Sequence, residues 1–132
     1  MVSRNKTIRV LLCNKHNLFR EGIKALFREP TSIEIVGEAA TGEQALNLLE
    51  GLRPDVVLLD VTTDDSSGSE ITRRIKAVDS QIVILILSLD DDELLIADCL
   101  DAGATGYIRK DDEALQLRRA INTACKGIRH AA

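Results

Sequence analysis

Three stretches of the chain, RVLLC at 9–13, DVVLL at 55–59 and IVILIL at 82–87, carry apolar residues in unbroken runs. A strand with one face in water alternates apolar and polar residues, whereas a strand covered on both faces has no reason to alternate. Runs of this length therefore predict central strands of a sheet with helices on each side. Two shorter runs bring the expected strands to five, at 8–13, 33–36, 56–59, 82–87 and 106–109. Between them lie longer segments with helical spacing, the pattern of βα units that build a parallel sheet.

The first such segment, 17–28, repeats Leu18, Phe19, Ile23, Leu26 and Phe27 at three and four, and Pro30 closes it. The second, 41–52, opens as a capping box, with Thr41 followed by Glu43 and Gln44, and then presents Ala45, Leu48 and Leu49. Further helices are expected at 69–78, 91–102 and 112–126, with Gly103 placed to end the fourth.

The chain has 132 residues, 45% of them hydrophobic, which is enough for one unstapled core. A single domain over 1–132 is expected, with a folded core of about 6–127 and a tail or linker start at 128–132. Aromatics are 2% and the net charge is −4, so the segment offers neither a base-stacking platform nor a grip on a phosphate backbone. Direct nucleic-acid contact is not expected of it. The three cysteines, Cys13, Cys99 and Cys125, form no C-x-x-C pair and sit in apolar surroundings, as reduced thiols of a cytoplasmic protein do. No apolar stretch approaches the length of a membrane span, and the start carries no signal-peptide pattern.

In an open parallel sheet, ligands bind outside the carboxyl ends of the strands. That rule selects Asn14 and Lys15, Asp60, Ser88 and Lys110, with Asp64, Asp65, Asp90, Asp91, Asp92, Asp111 and Asp112 in the same loops.

With these residues in view the chain resembles, over nearly its full length, the receiver domain of bacterial two-component response regulators. The likeness is greatest to receivers that precede a C-terminal helix-turn-helix DNA-binding domain. It is carried by LFREGIKALFRE, VGEAATGEQAL, LRPDVVLLD, Gly68 eight residues beyond Asp60, ILILS and AGATGYIRKDD, in that order. The resemblance implies a doubly wound, flavodoxin-like α/β fold, its five-stranded parallel sheet in the order 2-1-3-4-5 and flanked by five helices. It further implies transfer of a phosphoryl group from a histidine kinase onto Asp60, by positioning and charge neutralisation. Ser88 matches the hydroxyl that hydrogen-bonds the phosphoryl group, and Lys110 the base that pairs with one of its oxygens. Tyr107 matches the aromatic whose inward or outward rotamer follows Ser88. A receiver accepts and relays a signal, so no independent enzyme activity is expected.

The pattern breaks at one edge. Most receivers carry two acids after the first strand, where they bind magnesium; here those positions are Asn14 and Lys15. Magnesium wants near-octahedral oxygen ligands, and the inherited set shrinks to Asp60, the Thr62 carbonyl and water. Lys15 brings a cation instead: at about 4 Å and an effective dielectric near 20, a contact with Asp60 amounts to about 4 kcal/mol before desolvation. The loop TTDDSSG departs as well, and its Asp64 and Asp65 are either substitute ligands or part of a solvated turn.

Two readings stay open, an atypical receiver with weakened or lost magnesium-dependent phosphorylation, and a conventional one using substitute acids. A small haloacid dehalogenase-like phosphatase is a remote third, because its motif needs an acid where Thr62 stands. For partners, Leu94-Leu-Ile-Ala97 places apolar residues on more than one side of the fourth helix. In the fifth, Ala114, Leu117, Ile121, Ala124 and Ile128 form a stripe that suits a core. A weak homodimer through the fourth and fifth helices is expected, with DNA contact left to a following domain.

Overall fold

The computed structural model describes residues 7–28, 32–61, 68–88, 93–109 and 114–125. In chain order the elements are β1 (Ile8–Cys13), α1 (Asn17–Leu26), β2 (Ile33–Ala39), α2 (Gly42–Leu52) and β3 (Val56–Asp60). They continue with α3 (Gly68–Val78), β4 (Val83–Ser88), α4 (Glu93–Asp101), β5 (Gly106–Arg109) and α5 (Ala114–Ala124). All neighbouring strands pair in parallel, in the order β2-β1-β3-β4-β5. This is the doubly wound, flavodoxin-like arrangement expected from the sequence.

The unbroken apolar runs are explained by two cores on opposite faces of one sheet. Val10, Leu12, Leu58, Leu85 and Leu87 pack with Ile23 and Phe27 from the α1 side and with Leu117 and Ile121 of α5. Their neighbours Leu11, Cys13, Val57, Leu59, Ile84 and Ile86 turn the other way, toward Ala45, Leu49, Ile71, Ile75 and Cys99 of α2, α3 and α4. In β4 the residues Ile84, Leu85, Ile86 and Leu87 are each no more than 3% exposed. Each such side chain is worth about 1.5–3 kcal/mol of burial.

Helix ends follow local chemistry. Thr41 Oγ1 accepts the Gln44 N–H at 3.1 Å, and Gln44 Oε1 accepts the Ala40 N–H at 2.8 Å, so the expected capping box forms one residue early on its return side. At the end of α4, Gly103 takes φ +120, with Gly103 N–H to Leu100 O at 3.1 Å and Ala104 N–H to Cys99 O at 3.0 Å. This closes the helix as a glycine C-terminal motif. Gly68 opens α3 against the sheet, where a Cβ would stand 2.5 Å from Val61 Cγ1.

Most boundaries fall within a residue or two of the expectation, and the shifts at β2 and α1 have a tertiary cause. β2 runs to Ala39 rather than residue 36, because its length is set by β1, which pairs Leu11 with Gly37, Leu12 with Glu38 and Cys13 with Ala39. A register shift beside Val10 and Leu11 leaves Val36 out of the pairing, so the edge strand continues past its apolar run. α1 ends at Leu26, and Phe27 leaves the helix with φ −114 to bury its ring in the core.

Candidate functional site

The strand order reverses between β1 and β3, so a crevice opens where their carboxyl ends lie side by side. Cys13 pairs with Leu59, and the next residue on each strand, Asn14 and Asp60, meets across that crevice. Asn14 Nδ2 donates to Asp60 Oδ2, and both residues are fully buried. Asn14 Oδ1 accepts the His16 N–H at 2.7 Å. Those two bonds fix the amide's orientation, because a flip would set donor against donor at His16 and acceptor against acceptor at Asp60.

The backbone of Asn14 is held as firmly. Its N–H donates to Ala39 O at 2.9 Å, and its carbonyl accepts from Arg20 Nη1. Arg20 also pairs through Nε with Glu38 Oε1 at 2.8 Å, and Lys24 Nζ takes Glu38 Oε2 at 2.6 Å. Lys24 first and Arg20 second hold the Glu38 carboxyl below the usual carboxylate range, while partial burial opposes them. Glu21 first and Glu38 second raise the Lys24 ammonium above its ordinary value.

One strand away, Asp60 pairs with Leu87, and Ser88, 2% exposed, is the next residue at the same edge. Ser88 pairs with Arg109 of β5. Tyr107 lies opposite Ile86, half exposed on β5. Lys15 follows Asn14 at the edge and is exposed. The structure thus brings Asn14 and Asp60 into contact and sets Ser88 beside them. Thr62, Asp64, Asp65 and Lys110 lie outside the described residues.

Sequence reasoning put the weight of the departure on Lys15 and missed that Asn14 itself reaches Asp60. The register of β1 against β3 was the signal that would have found it, since residues just past paired strand ends are neighbours. Asp60 Oδ2 takes an N–H and Asn14 turns its oxygen toward the backbone, so Asn14 brings no carboxylate to a divalent cation at this edge.

A parallel sheet in this order, with a buried aspartate ending the third strand and a buried serine ending the fourth, is a flavodoxin-like α/β fold with polar side chains gathered at its carboxyl edge. The response regulator receiver domain family matches residues 10–122, and the chain belongs to that family. It is 34% identical over 126 residues to the transcriptional regulatory protein DegU of Brevibacillus brevis, covering 96% of this chain and 53% of that protein. With LiaR of Bacillus subtilis (strain 168) it is 35% identical over 122 residues, covering 91% of this chain and 57% of the other.

Among solved structures, the signal receiver domain of the putative response regulator NarL from Mycobacterium tuberculosis superposes with a TM-score of 0.85 at 30% identity, covering 92% of this chain and 98% of that one. A LuxR-family two-component response regulator from Aurantimonas sp. SI85-9A1 gives 0.85 at 31% identity, over 92% of this chain and 87% of the other. The chain spans just over half the length of these curated relatives. Family membership removes the phosphatase reading. Among the described residues no helix is long and apolar enough to cross a membrane.

Proposed function

We propose that this chain is an atypical receiver, in which magnesium-dependent phosphorylation of Asp60 is weak or lost. The observation that carries the reading is the Asn14 amide donating to the buried Asp60 carboxylate where the family places acids. A neutral donor there supplies no negative charge to a divalent cation and already engages one oxygen of the Asp60 carboxylate. Lys15 adds positive charge at the same edge, in place of the second acid. Ser88 and Lys110 keep the residue types that would hold a phosphoryl group, and Tyr107, half exposed on β5, keeps the aromatic that would follow Ser88.

Incubation with acetyl phosphate and magnesium, followed by intact mass measurement, tests this. Little or no gain is expected over an hour; a prompt gain of one phosphoryl, lost in Asp60→Asn, sinks the reading and favours a conventional receiver with Asp64 or Asp65 as substitute ligands.

The wider setting we propose is two-component transcription control in the cytoplasm, with a sensor kinase or other signalling protein as input. The greater length and the names of the relatives support a DNA-binding output domain beyond this segment. A weak homodimer through α4 and α5 is supported by Leu94 and Leu100, exposed at 74% and 40%, and by a groove of about 520 Å³ between Tyr107 and α5. The Leu117 and Ile121 stripe of α5 is spent on the core instead. Sedimentation that finds only monomer at high concentration counts against the dimer.

A further inference from the structure

Asn14 uses both ends of one rigid, planar amide. Nδ2 faces Asp60 on β3, and Oδ1 holds the N–H of His16, the residue that opens α1. An amide cannot turn away from one partner and keep its geometry to the other. Whatever displaces the Asp60 end therefore disturbs the α1 end.

That end of α1 has no side-chain cap of its own: His16 makes none, and the first turn carries no acid to meet the helix dipole. The first helical bond, Arg20 N–H to His16 O at 3.1 Å, starts from the residue that Asn14 positions. Arg20 then returns to the Asn14 carbonyl and continues to Glu38 of β2, with its own side chain only 14% exposed. The same turn presents Leu18 to solvent at 85% exposure.

We propose that Asn14 is a positioning residue that couples the Asp60 carboxylate to helix α1, so that engagement of Asp60 is reported on the α1 face carrying Leu18. The proposal rests on Asp60 being the residue that receives the signal, but the coupling itself needs no phosphoryl group.

The test is a double-mutant cycle read by amide hydrogen exchange, without phosphodonor, so its result is independent of the acetyl phosphate experiment. Asp60→Ala is expected to speed exchange in the first turns of α1 about ten-fold relative to α3, which reports global stability. In an Asn14→Ala background the same change is expected to add less than two-fold. Should that double variant not fold, Asn14→Leu replaces Asn14→Ala, since leucine fills nearly the same space and makes neither amide bond. An equal response of α1 with and without the Asn14 amide, or no response of α1 in Asp60→Ala, overturns the coupling.

Discussion

Asn14 differs from an aspartate by an amino group in place of one oxygen, and that group is the one aimed at Asp60. Asn14→Asp would set two buried carboxylates together where an amide now donates. In metal-free buffer the variant is expected to lose about 2–3 kcal/mol of stability, the cost of an uncompensated buried charge. Magnesium at millimolar concentration is expected to restore part of that loss by binding the folded state, while leaving the parent unchanged. Urea unfolding with and without the ion checks both halves; a variant as stable as the parent in chelator would show that the amide is not what holds Asp60. The sequence named both residues, but it could not say that they touch, because 46 positions separate them along the chain.

At the scale of elements, α1 and β2 are tied by Glu38, which binds Lys24 and Arg20 of the helix from the edge strand. The folded carboxyl is held below its unfolded value of about 4.3, so its contribution is complete above that value and is lost as pH falls through the folded one. Glu38→Gln is therefore expected to lower stability at neutral pH by less than about 1 kcal/mol, since the pair is partly exposed. The difference from the parent should shrink as pH falls below the unfolded carboxyl value in thermal melts; an offset that stays constant as pH falls would assign the loss to packing instead. Helix starts with side-chain chemistry, such as Thr41 and Gln44, and the glycine stop at Gly103 were readable from sequence because their partners lie within five residues. The end of α1 was not, since Phe27 leaves the helix to reach a core built by distant strands.

For the molecule as a whole, β1 to β4 send side chains into both cores, so the two faces are expected to melt together. Ile75 on α3 and Ile121 on α5, each fully buried on opposite faces, supply the test. Either change to alanine is expected to cost about 2–5 kcal/mol and to leave one cooperative transition by circular dichroism and by fluorescence of Tyr107. Two separate transitions in either variant would mean that the faces fold independently.

The sequence by itself determined the number of strands, their parallel sheet, the two-faced core and that Asn14, Asp60 and Ser88 stand at the carboxyl ends of their strands. Those features rest on periodicity and on capping contacts a few residues long, which the chain carries locally. Tertiary structure alone decided how far β2 runs and that Asn14, with its amide turned by His16, donates to Asp60. Both outcomes depend on strand register, which is fixed only when residues far apart in the chain compete for the same hydrogen bonds.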